Sequence, residues 1–188
     1  MEANSQNCNM TCLYNQIEEI YGKVVYSYTT QIVHATRLYD RFNILKWGQL
    51  ILSGLSTTGF VGTLVSDCAY ISWIGGVISS LLLLLTAYFK DKDFSLLYKK
   101  HLDTANELWS IRERYLSLLV DFDGLSKEEI ITMRDELQSR LEKIYKNAPL
   151  TDNKSYCLAQ KLLKEKESQF FTREELNKML PASLRKVD

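Results

Sequence analysis

Helix-breaking residues are scarce in this sequence, and charge of one sign does not predominate. Of its 188 residues, two are proline and eight are glycine, and 23 Lys and Arg balance 23 Asp and Glu. Few helix breakers and no visible strand pattern or repeat favour long helices. Because the net charge is zero, the sequence shows no basic footprint for nucleic acid, and we expect no direct nucleic-acid binding. The sequence predicts an all-α protein.

Motifs for metals, phosphates and catalysis are also absent. Cys8 and Cys12 lie one helical turn apart, which is not the C-x-x-C spacing of zinc or redox sites, and Cys68 and Cys157 stand alone. No glycine-rich phosphate loop, Ser/His/Asp set or H-E-x-x-H motif is present. We therefore expect no metal, no cofactor and no enzymatic activity. The first apolar run begins near residue 47 after a polar N-terminus, so no secretory signal peptide is predicted.

Two long uncharged runs are the most informative feature of the chain. Residues 47–66 and 68–89 contain no charged side chain, and only Asp67 separates them. About 20 helical residues at about 1.5 Å each cross a hydrocarbon core of about 30 Å. The sequence therefore predicts a two-transmembrane antiparallel helical hairpin, with spans at 47–66 and 69–89. A buried hairpin in a soluble protein is the alternative, but soluble helices of that length normally carry a charged stripe.

Positive charge flanks the two runs and is missing from the turn between them. By the positive-inside rule, this asymmetry places both termini in the cytoplasm. The flanking residues are Arg37, Arg41 and Lys46 before the first run, and Lys90, Lys92, Lys99 and Lys100 after the second.

The first span has a polar face and an opposite face of small residues. At 100° per residue, the polar side chains fall within one arc. Small residues let two backbones approach closely in lipid, so we expect the small faces of the two spans to pack together. The polar arc comprises Gln49, Ser53, Ser56 and Thr63, and the small residues are Gly54, Thr58 and Gly62 on the first span and Ser72, Gly76 and Ser79 on the second.

This packing would leave the polar arc without a partner inside one chain. Polar side chains that face hydrocarbon are unfavourable, so we expect the arc to face other copies or water. That predicts a homo-oligomer, and a pore lined by the polar arc. The alternative is that the hydroxyl groups bond to their own helix backbone.

We expect residues 1–188 to form a single domain. Outside the hairpin, the sequence predicts cytoplasmic helices that extend from the hairpin into a helical bundle. They comprise an N-terminal helix at 11–46, a helical hairpin at 90–147 and a C-terminal helical extension at 148–188. Capping boxes begin at Ser126 and Thr172. The helix after Ser126 has a predicted core stripe of Ile130, Met133, Leu137, Leu141 and Ile144.

Four residues after the second run share one broad arc and predict a helix–helix seam: His101, Trp109, Arg112 and Tyr115. We expect His101 and Arg112 to be satisfied there by carboxylate or carbonyl groups. An enzyme that uses these two side chains is the disfavoured alternative.

Several segments resemble the SLATT family, the SMODS- and SLOG-associating two-transmembrane effector domains, and in particular its group found beside reverse transcriptases. The resemblance implies an effector of bacterial anti-phage defence that sits in the inner membrane and permeabilises it when triggered. It also implies a signal-sensing or reverse-transcriptase partner protein. A membrane-anchored scaffold without pore activity is the alternative. The similar segments include 21–28 (YGKVVYSY), 49–60 (QLILSGLSTTGF), 112–118 (RERYLSL), 147–151 (NAPLT) and 171–175 (FTREE).

Overall fold

The computed structural model describes residues 2–65, 69–91, 94–165, 171–179 and 181. Within these ranges, the side chains of residues 2–9, 58–65, 69, 71, 72, 89–91, 173 and 177 lie outside the description. Every element of the described chain is helical, which confirms the predicted all-α class. The elements are α1 (Glu2–Val65), α2 (Ala69–Asp91), α3 (Phe94–Val120), a 3-10 turn (Phe122–Gly124), α4 (Lys127–Asn147), α5 (Asn153–Lys164) and α6 (Arg173–Met179).

The longest element is α1, a single helix of 64 residues. At about 1.5 Å per residue it extends roughly 95 Å. No proline interrupts it, so its backbone hydrogen bonds continue from the N-terminal region into the first uncharged run. As a result, α2 packs against its C-terminal part, and α3 and α5 pack against earlier parts.

The end of α1 and the whole of α2 form an antiparallel pair. Side-chain hydrogen bonds join Gln49 to Thr86 and Ser56 to Ser79, so positions rise along α1 as they fall along α2. In the part of the chain that the structure describes, no helix is both long enough and apolar enough to cross a membrane. The two-transmembrane hairpin therefore stays a prediction.

The N-terminal half of α1 packs with α3 and α4 around one hydrophobic core. The helices α1 and α3 are antiparallel, since Tyr28 contacts Trp109 and Tyr39 contacts Tyr98. Burying an apolar side chain contributes about 1.5–3 kcal/mol, so this core is the main source of stability outside the hairpin. Its fully buried members are Ile17, Val24, Leu108, Tyr115 and Ile130, with Leu118 almost completely buried.

Local signals set the start of α4 and most of its buried face. Ser126 and Glu129 form the predicted capping box, in which each side chain bonds to the other's backbone N–H. Of the predicted core stripe, Met133 is 41% exposed and that prediction is wrong, whereas the other four residues are buried. The helix packs one narrow face against its neighbours, and Met133 lies at the edge of that face.

Candidate functional site

Two residues of the polar arc of α1, Gln49 and Ser56, face α2 within the same chain. Gln49 donates a hydrogen bond from Nε2 to Thr86 Oγ1 at 3.3 Å, and the hydroxyl oxygens of Ser56 and Ser79 lie 3.0 Å apart. This differs from the expectation that the arc lacks an intrachain partner. The physical reason is that α2 carries hydroxyl groups of its own at matching heights, so each polar face satisfies the other.

The structure also differs from the predicted packing at two of the small residues. A Cβ atom built on Gly54 or on Gly76 would meet no neighbouring atom within 4 Å, and both residues are exposed. Helices α1 and α2 therefore do not approach closely at these glycines. Ser79, in contrast, lies on the side of α2 that meets α1.

The remaining hairpin predictions fall partly outside the described side chains. Ser53 is exposed, and its carbonyl oxygen accepts a hydrogen bond from Thr57 Oγ1 at 3.0 Å. Thr58, Gly62, Thr63 and Ser72 lie where the structure describes the helical backbone but not the side chains.

The outer face of α2 carries an apolar groove. Ser80 donates its hydroxyl to the Gly76 carbonyl at 2.9 Å, so this side chain is satisfied within its own helix. By helical periodicity, the groove lies on the other side of α2 from Ser79 and Thr86. The groove has a volume of about 560 Å³ and is lined by Trp73, Gly76, Val77, Ser80, Leu81 and Leu84.

Outside the hairpin, a polar cluster joins α1, α3 and the start of α5; we call it the histidine junction. His101 is fully buried, and its Nδ1 lies 2.6 Å from Gln31 Oε1, which can only accept, so Nδ1 carries the hydrogen. The His101 ring lies 4.3 Å from the His34 ring, centroid to centroid. Burial, with a smaller contribution from the neighbouring His34, lowers the pKa of His101 to about 4. The junction comprises Gln31, His34, Arg37, His101, Asp152 and Ser155.

The N-cap residue of α5, Asp152, also joins this helix to α1. Asp152 Oδ1 accepts a hydrogen bond from the Ser155 backbone N–H at 2.8 Å and another from Arg37 Nη1 at 2.6 Å. Arg37 also donates to the buried Ser155 Oγ at 2.6 Å. The hydrogen bond with Ser155, followed by the bond and charge of Arg37, holds the pKa of Asp152 well below its usual range. In the preceding loop, the Pro149 carbonyl accepts from Gln31 Nε2 at 3.3 Å.

Ser155, His34 and Asp152 do not have the geometry of a hydrolytic triad. Ser155 Oγ lies 3.0 Å from Nδ1 of His34, and Asp152 Oδ1 lies 3.4 Å from the same nitrogen. A triad needs the nucleophile on one ring nitrogen and the carboxylate on the other. This arrangement joins α1 to the start of α5.

The predicted seam on α3 contains buried polar groups with unused hydrogen-bonding capacity. The Arg112 guanidinium lies 4.5 Å from the Trp109 ring centroid, and its Nη1 lies 3.6 Å from a Glu113 carboxylate oxygen. Among the described residues, Arg112 Nε and Nη1 and the Tyr115 hydroxyl have no hydrogen-bond partner. Burial raises the pKa of Tyr115 to about 12. Trp109 is 43% exposed and packs against Tyr28.

Sequence patterns did not single out the residues of α1 and α5 in the junction. Two signals were available: Gln31 and His34 are polar residues three apart on a long helix, and Asp152 precedes Ser155 with the spacing of an N-cap. Neither signal shows that these positions, more than 110 residues apart in sequence, are in contact.

A cavity of about 250 Å³ lies beside the junction. Among the described residues, no group of three or more His, Cys, Asp or Glu side chains could hold a metal ion. The cavity is smaller than most ligand pockets. It is lined by Tyr26, Ser27, Thr30, Gln31, Tyr145, Thr151 and Tyr156.

Comparison with protein families gives one match over most of the chain. The model for the SMODS and SLOG-associating 2TM effector domain family 4 matches residues 13–175. Comparison with curated proteins and with solved structures gives no match. The matched range includes the hairpin, the histidine junction and the predicted seam.

Proposed function

This chain belongs to family 4 of the SMODS and SLOG-associating 2TM effector domains, and from that premise we propose that it is a membrane effector of a bacterial defence system. The family is a two-transmembrane effector family of defence and conflict systems. In our proposal the chain oligomerises in the inner membrane and permeabilises it when a trigger arrives. The observation that supports this most is the hairpin itself, in which Gln49 and Ser56 of the polar arc bond to hydroxyl groups of a second, largely apolar helix.

The surface of α2 supports placing the hairpin in lipid. Trp73, Leu83 and Leu84 are 78%, 71% and 67% exposed, and large apolar patches on a chain mark a contact with a membrane or a partner. The uncharged runs that predict the two spans also include residues outside the described chain. With Lys and Arg only at the outer ends of these runs, we propose that both termini lie in the cytoplasm.

We propose that the observed hairpin is the closed form of the effector. Gln49 and Ser56 of the polar arc form hydrogen bonds with α2. To line a pore, α2 must move away so that these groups exchange Thr86 and Ser79 for water or for neighbouring copies. A bond of this kind between membrane helices contributes about 1 kcal/mol, so separation is within reach of a partner protein or of assembly.

Oligomerisation is supported by the exposed small residues. Gly54 and Gly76 face away from the α1–α2 contact, and Gly76 lies in the groove on the outer face of α2. In lipid, such positions let the helix of another copy approach closely. A contact between different faces of successive copies generates a ring when the rotation closes.

Two neighbouring substitutions test the pore. Ser56 belongs to the polar arc, whereas Thr57 is exposed and bonds to the Ser53 carbonyl of its own helix. Each residue is replaced by leucine, so the two variants gain similar hydropathy. The membrane potential of bacteria is recorded during high-level expression, which drives association by mass action. We expect wild type and Thr57→Leu to depolarise the membrane and Ser56→Leu to do so far less, because an apolar constriction dewets.

Full polarisation with wild-type protein confirmed in the membrane would contradict the proposal. Equal depolarisation by the two leucine variants would exclude the polar arc as the lining.

A membrane-anchored scaffold is the second candidate, favoured by the size of the helical bundle outside the hairpin and its exposed apolar side chains, such as Val120. A signal-sensing or reverse-transcriptase partner would bind this bundle in either case. A scaffold would retain its partner in both leucine variants and would never depolarise the membrane. We propose no enzymatic role, since both Ser155 and Asp152 approach one nitrogen of His34.

A further inference from the structure

We propose that the histidine junction is a proton-sensitive latch, which releases α5 and the loop before it from α1 when the surrounding solution becomes acidic. The proposal rests on the contacts between α1, α3 and α5. It does not depend on whether the hairpin crosses a membrane.

The N-terminal end of α5 supplies the polar part of its attachment to α1. Arg37 bonds to both Asp152 and Ser155, and His34 Nδ1 lies 3.0 Å from Ser155 Oγ. The preceding loop is joined to α1 through Gln31 and the Pro149 carbonyl. Release at this end therefore requires these bonds to be exchanged for bonds to water.

His101 is the group that responds to protons. In the docked state its Nδ1–H is donated to Gln31, and Nε2 is buried with no hydrogen-bond partner among the described residues. A proton added to Nε2 would create a buried cation with an unsatisfied N–H, stacked 4.3 Å from the His34 ring. An uncompensated buried charge is strongly unfavourable, whereas water solvates it readily once the junction opens. Gln31 and His34 contact His101 on one side and the loop or α5 on the other, so opening the junction around His101 also breaks bonds that hold α5.

The charged neighbours of His101 do not offset that cost. From α1, the positive Arg37 and the titratable His34 face the junction. From the start of α5, Asp152 favours the protonated ring, but its Oδ1 already accepts from Arg37 and from the Ser155 backbone. From α4, Tyr145 reaches α1 at Ser27, and on α3 the adjacent Lys100 and nearby Asp103 are exposed.

The direction of the pH dependence follows from the buried Nε2 of His101, which has no hydrogen-bond partner among the described residues. Burial accordingly lowers the pKa of His101 from its ordinary value of 6.5 to about 4 in the docked state. The released state binds the proton more tightly, so docking is strongest above pH 6.5 and weakens as the pH falls toward 4. For a single site with these two values, the docking constant falls by roughly tenfold at pH 5.5 and roughly thirtyfold at pH 5.

Release would act on the helix that leads into the hairpin, because α1 is continuous from the junction to Val65. In a permeabilised cell, an initial leak of protons would weaken the latch and so promote further release. This coupling rests on the proposed function, whereas the latch itself does not.

Hydrogen–deuterium exchange of the full-length chain in detergent tests the latch. Protection of the α5 amides is measured at pH 7.5 and pH 5.0, with the intrinsic pH dependence removed by an unstructured reference peptide. We expect α5 protection to fall by roughly ten- to thirtyfold, while amides in the core of α4 keep theirs. Unchanged α5 protection would overturn the proposal.

A His101→Gln variant is the matched control, because glutamine can still donate to Gln31 but does not titrate. Its α5 protection should be independent of pH between 7.5 and 5.0, and a fall equal to that of wild type would refute the assignment to His101. If α5 of the variant does not dock at either pH, the pKa of His101 is measured in the wild-type chain from the pH dependence of hydrogen exchange at its ring C–H. Titration well below 6.5 supports the latch, and titration near 6.5 overturns it.

Discussion

Asp152 combines two structural roles in one carboxylate. It caps α5 by accepting the Ser155 N–H, and it binds Arg37 of α1, so helix initiation and helix docking use the same side chain. Its pKa is held below the usual range by these bonds, so its contribution to stability is fully present at neutral pH and is lost progressively as the pH falls below the ordinary carboxyl pKa of 3.8. Docking is therefore weakened in mild acid by His101 and not by Asp152.

Replacing Asp152 by alanine should weaken α5. The loss of an N-cap costs about 1 kcal/mol. The partly buried Arg37 guanidinium also loses the carboxylate that accepts its Nη1 hydrogen bond. We expect faster amide exchange throughout α5 at neutral pH and a smaller effect of acid than in wild type. Glu142→Ala removes only an exposed pair with Lys146 and should leave exchange unchanged. Equal effects of the two substitutions would contradict the role of Asp152.

At the scale of elements, the residues at which helices begin can be predicted from local sequence. Which helices pack against one another cannot. The capping boxes at Ser126 and Thr172 were predictable because each involves residues three apart. The contact of His34 with Ser155 was not, because no local pattern reports a pairing over 121 positions. The same holds for the hairpin, where periodicity places Gln49 and Ser56 on one arc of α1 but cannot tell which residues of α2 they contact.

The capping box of α4 gives a prediction about this element. Ser126→Ala removes the side-chain acceptor of the Glu129 N–H and should destabilise the chain by about 1 kcal/mol in chemical unfolding. Thr132 donates its hydroxyl to the Glu128 carbonyl within the same helix and is exposed, so Thr132→Ala should have little effect. A larger loss of stability from Thr132→Ala than from Ser126→Ala would contradict this account of the helix start.

At the scale of the whole molecule, one helix connects two different environments. The first part of α1 shares a hydrophobic core with α3 and α4, and its last part pairs with α2 over the uncharged runs. Because α1 is continuous from the histidine junction to the hairpin, our proposal has release of α5 act on the hairpin through this helix. The all-helical architecture could be predicted from composition and pattern. The junction that links α1 to α5 could be identified only from the folded structure, because its residues are far apart in sequence.

The central claim is that residues 47–89 cross the membrane twice, with both termini in the cytoplasm. The native cysteines test it, since in the sequence Cys68 follows Asp67 at the start of the second uncharged run, and the exposed Cys12 and Cys157 lie outside both runs. Spheroplasts that contain the untriggered protein are treated with a membrane-impermeant maleimide, with Cys68→Ser as the control. We predict labelling that Cys68→Ser abolishes, and labelling of Cys12 and Cys157 only after detergent is added. Labelling of Cys12 or Cys157 in intact spheroplasts, or recovery of the chain in the soluble fraction without detergent, would contradict the claim.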